Sequence, residues 1–476
     1  MKHINTKCNI LICFLLAILP FAPYGCTENK NAKKPFVVKV AINEMDCFRC
    51  YGGTHILQQL SEVSRIELVF KDMGEKEIKR FLDVNGLKEK NDDLKFDIIS
   101  NSSLYDSLNN FGITEAHVYS DEGVELYDLP LASKKIERKI AEIKAIGFDL
   151  MQENHPKLEL KYDSDFYDLS VSNAYYLITN STMNCCEVFD KKGNSLYTID
   201  ALQIDPMEIF PEMKKNEKYA NYLKRTGAFS CRIESAQMMG EEVWLNVMVP
   251  YIEVRNDSII HIYKYCQISY SANGGGAMSH QVLCDSQDIP IYSIGAARNG
   301  ENYFGISMSA DEEKRFEYKC HVMQRTIGKM KIVNTKEIWL PDFNRIPNFA
   351  YLPKVKDGLL ALNYTDFLLD LEHDTIYSLP IHSNPKITGS ISSGFDVSTD
   401  GQVKDWTCDG ETLAIVYHDA KLMQYRYLFK DDQSNKINVK SLSFGSEVKS
   451  PSFCLVSPHV LYYLNSENRV QLMLID

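Results

Sequence analysis

Asp46-Cys47-Phe48-Arg49-Cys50 is where residue type and spacing could most directly do chemistry. Two thiols separated by two residues fall one helical turn apart. One can then attack a disulfide as thiolate while the other resolves the mixed intermediate. At a helix N-terminus the unpaired amides would favour the Cys47 thiolate, with Arg49 assisting and Asp46 opposing. A free thiol near pKa ~8.5 falls to roughly 3.5–7.5 in such settings. The same spacing also suits a static disulfide or half of a metal site, which His55 and His117 could complete, although no spacing supports this and each reads more simply as a surface histidine.

The elements around the pair must place it at such a terminus. Phe36-Val-Val-Lys-Val-Ala-Ile42 reads as a buried strand, and after the cysteine-bearing loop Ile56, Leu57, Leu60 and Val63 share one helical face. Arg65–Phe70 is the next strand. Ile78, Phe81 and Leu82 mark a second helix closed by Asn85-Gly86, and Leu94–Ile99 a third strand. Ser103–Asn110 is a weaker helix. Ala116–Tyr119 and Val124–Tyr127 flank the turn Ser120-Asp-Glu-Gly123, and a last helix with Ile136, Ile140 and Ile143 inward is expected to stop at Gly147. This order implies a mixed sheet flanked by helices.

With C-F-R-C after the first strand, Phe36 to about Gly147 resembles the thioredoxin fold, nearest to periplasmic thiol-disulfide oxidoreductase-like domains. The resemblance covers about a quarter of the chain and implies Cys47 as nucleophile and Cys50 as resolving thiol. Asp46 stands where the family has Trp. No proline lies in Gly112-Ile-Thr-Glu-Ala-His117, where the family carries a cis-proline facing the pair; Glu115 or Ala116 occupies its place. Exchange, a static disulfide and a metal pair all remain open.

Beyond about residue 155 the texture becomes short β-type runs separated by turn chemistry such as Asp190-Lys-Lys-Gly-Asn194 and Asp409-Gly410, with one helical interruption at 205–225. Strand groups recur near 165–200, 228–270, 287–333, 345–380, 402–443 and 450–476, the spacing of four-stranded propeller blades. The last group is one strand short, and Leu158-Glu-Leu-Lys-Tyr162 could supply it by closing the ring. A pair of β-sandwiches is the alternative. The region resembles, in texture, the six-bladed propeller lipoproteins of Bacteroidetes-type bacteria. Its other candidates are weaker. Cys185 and Cys186 would point to opposite faces of a strand. Asn273-Gly-Gly-Gly276 lacks the following helix and lysine of a phosphate loop. Asp366, Asp370 and Asp374 have no paired logic, and tyrosines such as Tyr175, Tyr176, Tyr462 and Tyr463 could line a binding face or form strand core.

The first 25 residues carry Lys2, Lys7, no acid and a short apolar run broken by Pro20 and Pro23, a signal-peptide pattern. Tyr24-Gly-Cys26-Thr27 resembles a bacterial lipobox, which implies lipidation of Cys26, a stable anchor and, with Thr27 following, the outer membrane. Removing those lysines takes the net charge of −12 to −14, unsuited to nucleic acid. Of 13 cysteines, ten remain pairable after cleavage and lipidation, and some should bond in an oxidising compartment. Those inside apolar runs, such as Cys266 and Cys454, read better as small buried hydrophobes.

The expected organisation is a signal peptide over 1–25, a lipidated tether over 26–34, an α/β thioredoxin-like domain over 35–148 and an all-β, six-bladed propeller over 156–476. The expected function is a lipid-anchored, periplasm-facing envelope protein whose propeller binds a protein or peptide and whose Cys47–Cys50 pair exchanges disulfides. The alternative is a non-catalytic binding lipoprotein with a degenerate thioredoxin-like domain. Nothing in the sequence calls for a cofactor or resident metal.

Overall fold

A computed structural model describes most of residues 33–475. Residues 1–32, 44–47, 88–93, 216–230, 284–291, 340–354 and 379–401, several shorter loops and residue 476 lie outside the described residues, and between 275 and 438 the description is almost wholly of backbone. Cys26, Cys47, Asp366 and Asp374 are therefore outside it.

The N-terminal unit is a mixed five-stranded sheet in the order β3-β2-β1-β4-β5, built from β1 (Phe36–Ala41), β2 (Ser64–Phe70), β3 (Phe96–Ser100), β4 (Glu115–Ser120) and β5 (Glu125–Pro130). β1 to β3 run parallel, while β4 is antiparallel to both β1 and β5. β1 is central because its apolar residues serve both faces. Phe36, Val38 and Val40 enter the main core, whereas Ala41 faces the smaller cluster with Val69, Tyr105 and Leu108. β3 forms an edge and is correspondingly half exposed.

Among the described residues four helices connect or cover this sheet: α1 (Gly53–Ser61), α2 (Glu75–Asn85), α3 (Ser102–Leu108) and α4 (Ile136–Met151). α1 turns Ile56, Leu57 and Leu60 inward, as its periodicity predicts. α2 ends on Gly86 at φ 70, a left-handed position that glycine accepts at little cost. Asn101 caps α3 by accepting from the Leu104 amide at 2.9 Å.

α4 departs from expectation. It runs through Gly147 to Met151, because Gly147 is a crossing point and not a cap. A Cβ there would sit 2.5 Å from Cβ of fully buried Val63, so only hydrogen lets α4 approach the end of α1 this closely. Gly147→Ala should cost about 1–3 kcal/mol from overpacking, against a helix-propensity gain of about 1 kcal/mol. A lower urea midpoint, partly restored by Val63→Ala, is the expected result. A midpoint equal to or above wild type would refute the close-packing account.

From residue 167 onward the described residues are almost entirely antiparallel sheet. The first group is four-stranded: β6 (Tyr167–Val171), β7 (Tyr175–Asn180), β8 (Cys185–Asp190) and β9 (Ser195–Asp200). The next eight strands, spanning 232–339, form two antiparallel four-stranded runs joined through one parallel pairing, His280 with Lys329. Four-stranded sheets follow over 355–378 and 402–441, and a three-stranded sheet over 448–474 ends the chain. The six strand groups fall close to where the turn spacing puts them. The helical interruption reduces, among described residues, to α5 (Pro206–Ile209) and a 3-10 segment Pro211–Lys215.

The expected closing strand Leu158–Tyr162 does not form; a single antiparallel bridge just before it lies beside the three-stranded last sheet. Leu158 N–H donates to Asn468 O at 2.8 Å, Val470 N–H donates to Pro156 O at 3.2 Å, and Lys157 bridges Arg469 in antiparallel sense. One apolar cluster runs without a break from the mixed sheet into this region, taking in Leu158, Tyr167, Leu169, Tyr176 and Phe189 as well as Tyr462, Leu464 and Val470. Tyr176, Tyr462 and Tyr463 are buried, so for these three the strand-core reading holds.

Candidate functional site

Phe48-Arg49-Cys50, the described part of the C-x-x-C segment, lies between β1 and α1. Phe48–Tyr51 forms a 3-10 turn, in which Phe48 is buried while Arg49 and Cys50 are exposed. The apolar side chain between the cysteines pins the turn, leaving its polar neighbours at the surface. Phe48 packs edge-on to Phe81 with ring centroids 5.8 Å apart, and Phe81 in turn meets Phe70 at 5.5 Å.

Cys50 is disulfide-bonded. Cys185, Cys186, Cys231, Cys266 and Cys454 are all free and buried, so the partner lies outside the residues whose side chains are described. Cys50 fits the expectation that some cysteines pair, and the small-hydrophobe reading stands for Cys266 and Cys454. Burial pushes the Cys185 thiol up to about 11 and Cys231 up to about 12, and Cys186 higher still, so none is a reactive thiolate near neutral pH.

Among the described residues neither histidine is grouped with a cysteine as a potential metal site. His55 is exposed on α1 and bonds to Gln59 at 2.7 Å. His117 is buried in β4, with Nδ1 2.6 Å from Glu125 Oε1 and Nε2 2.6 Å from Leu108 O. Glu115, His117 and Asp128 bring one potential ligand atom each within 4.8 Å of one another. A carbonyl oxygen can only accept, so Nε2 carries hydrogen toward Leu108 and has no lone pair for an ion. The cluster is held by a proton and does not fit a metal.

Where the resemblance expects a cis-proline, β4 begins at Glu115, so the residues before the strand are Ile113 and Thr114. Thr114 is fully buried. Its hydroxyl accepts from the Asn43 amide at 3.4 Å, and the Asn43 side-chain amide donates to Gly112 O. Asn43 lies just past the end of β1, four residues before Cys47 in sequence. This loop therefore braces the approach to the cysteine pair through hydrogen bonds rather than through a proline ring.

A polar cluster that spacing could not reveal lies where α4 meets the first and last β groups. Asp149 Oδ2 accepts from Tyr462 Oη at 2.6 Å and from Lys191 Nζ at 2.8 Å. The ammonium also lies over the rings of Tyr176 and Tyr462, at 4.3 and 5.0 Å from their centroids. Burial lowers the Lys191 pKa and Asp149 opposes that shift, while burial together with Asp149 holds the Tyr462 phenol well above its usual value. Such an arrangement fixes the positions of α4, the turn after β8 and the last sheet relative to one another.

No protein family and no curated protein matches the chain in sequence. Among solved structures the chain is similar to streptogramin B lyase, at 10% identity over 68% of this chain and 97% of that one, with a TM-score of 0.32. It is also similar to an exported protein of Bacteroides fragilis (12% identity, 65% and 82% covered, TM-score 0.35) and to YCF48 bound to D1 peptide (9%, 68% and 98%, TM-score 0.30). These are β-propeller-type proteins. At such scores the likeness transfers no activity, and the functional reading rests on the chain's own residues. Among the described residues no helix is long and apolar enough to cross a membrane.

Proposed function

We propose that this is a cell-envelope lipoprotein, anchored through Cys26, whose thioredoxin-like unit exchanges disulfides through Cys47 and Cys50 and whose six-bladed propeller binds the protein or peptide partner. The observation that carries the reading is an exposed, disulfide-bonded Cys50 in a turn between the first strand of a mixed β3-β2-β1-β4-β5 sheet and its first helix. Six antiparallel strand groups, with residues 156–158 beside the last, support the propeller. The lipobox-like Gly25-Cys26 supports the anchor.

In the reduced state the Cys47 thiolate attacks one sulfur of a substrate disulfide and expels the other as a thiolate, which takes a proton. The Cys50 thiolate then attacks the Cys47 sulfur, releasing the second substrate thiol and leaving the pair oxidised. Run in reverse, the oxidised pair accepts two electrons from a substrate dithiol. The propeller's part is to hold the partner beside the pair, so that exchange proceeds within a bound complex.

Thiol trapping in periplasmic extract tests this. Cys50→Ser should accumulate mixed disulfides through Cys47 that the wild type resolves, and Cys47 should titrate well below the usual thiol range. Absence of any trapped partner, with an ordinary Cys47 pKa, would establish the second reading, a binding lipoprotein with a static disulfide. The absence of proline from Gly112–His117, with Thr114 bonded to Asn43 just ahead of β4, favours that second reading.

A further inference from the structure

The His117 environment is unusual for a histidine only 2% exposed. Both ring nitrogens face oxygens at 2.6 Å, one a backbone carbonyl and the other a carboxylate. With Glu125 ionised, both contacts need N–H donors, so the ring is an imidazolium. Two more carboxylates approach Nε2, Glu115 at 3.7 Å and Asp128 at 3.9 Å. Leu108 is the last residue of α3, and a cation at a helix C-terminus is favoured by the helix dipole.

From that carbonyl a continuous set of hydrogen bonds leads to the strand end before the cysteine pair. Asn109 follows Leu108, and its side chain donates to Tyr105 Oη at 2.8 Å and to Ile113 O at 3.0 Å. The same side chain accepts from Gly112 N–H at 2.7 Å. Gly112 and Thr114 in turn hold Asn43.

We infer that His117 is a proton-operated clasp, which when protonated ties the end of α3 to the β4–β5 hairpin and when deprotonated loosens the Asn109, Gly112 and Thr114 contacts that brace Asn43. A neutral ring has one N–H, so one of its two contacts must go. Whichever contact goes, the ring is neutral and the positive charge 3.7 Å from buried Glu115 is lost; loss of the Leu108 contact also frees Asn109 directly. This inference stands whether or not the cysteine pair is catalytic.

The groups facing the ring set the sign. On β4 these are Glu115 and Tyr119, on β5 Glu125 and Asp128, on β1 Lys39 (the register partner of His117), and on α3 Tyr105 with Asp106, which pairs with Lys71. Lys39 opposes the imidazolium, but its ammonium lies over the Tyr119 ring at 5.0 Å. Although burial lowers the His117 pKa, Glu125, Asp128 and the Leu108 carbonyl together raise it above its ordinary value. A raised basic group contributes stability that is complete below its unfolded pKa, about 6.5, and is lost as pH rises through the folded value.

Hydrogen–deuterium exchange of the full chain, corrected for intrinsic pH dependence, reads the clasp locally. Protection over residues 104–120 should fall about tenfold per pH unit crossed between the two pKa values, while α1 and β6–β9 stay unchanged. His117→Gln should abolish the pH dependence. Glu125→Gln keeps the ring but removes an anion, and should move the midpoint to lower pH, which tests the idea even if the glutamine variant at 117 fails to fold. A pH-independent wild type, the same pH response in His117→Gln, or an unmoved midpoint in Glu125→Gln would each overturn the inference.

Discussion

Asp149→Ala is expected to destabilise the protein by about 3–5 kcal/mol, the range for removing one partner of a buried charge pair. The carboxylate is about 5% exposed and satisfies two groups that have been taken out of water, the Lys191 ammonium and the Tyr462 hydroxyl. Truncation leaves Lys191 held over two aromatic rings with no anion, and burial already disfavours its charge. The loss should spread over the whole molecule. Asp149 lies in the last turns of α4, Lys191 in the turn after β8 and Tyr462 in the last sheet, so the cluster joins three parts of the chain across one continuous apolar core. The diagnostic measurement is a double-mutant cycle on urea midpoints. Lys191→Met in the Asp149→Ala background removes the stranded charge and should recover part of the loss, giving a coupling of about 0.5–3 kcal/mol. Additive losses would mean that the cluster acts through packing alone.

How much of this was legible in the sequence depended on whether the signal was local. The mixed sheet could be read because each strand is a short apolar run ended by its own turn, as with Ser120-Asp-Glu-Gly123, where Gly123 takes φ 85. The repeated Asp-Gly and Asn-Gly turns marked the strand groups for the same reason. Gly147 misled because a helix-stopping glycine and a close-packing glycine look alike until Val63 is placed opposite it. The clasp at His117 was hidden since it depends on hairpin register, which sets His117 opposite Asp128, and on α3 ending at Leu108. The Asp149 cluster was out of reach altogether, because 313 positions separate Asp149 from Tyr462. The cysteine pair was found by spacing alone, but spacing says nothing of how its turn is held.

The side chain that holds that turn is Phe48, and Phe48→Ala is expected to cost about 3–5 kcal/mol, the range for deleting a buried aromatic side chain. Its ring is 1% exposed and lies edge-on to Phe81, which connects it to Phe70 of β2. It also occupies the space above Gly53, where an added Cβ would come within 2.5 Å of the ring. Two consequences separate anchoring from general core loss. First, Gly53→Ala should destabilise the wild type by about 1–3 kcal/mol through overpacking. In the Phe48→Ala background the same methyl enters vacated space, so its effect should vanish or change sign. Second, Phe48 lies between the two cysteines, so freeing its turn should speed reduction of the Cys50 disulfide by a small-molecule dithiol, measured below the unfolding transition. A Phe48→Ala loss under about 1 kcal/mol, within the range of an ordinary substitution, or an unchanged reduction rate would show that the turn is held by its ends rather than by its central ring. The first would contradict the packing around Gly53, and the second would leave the disulfide mechanically independent of the core beneath it.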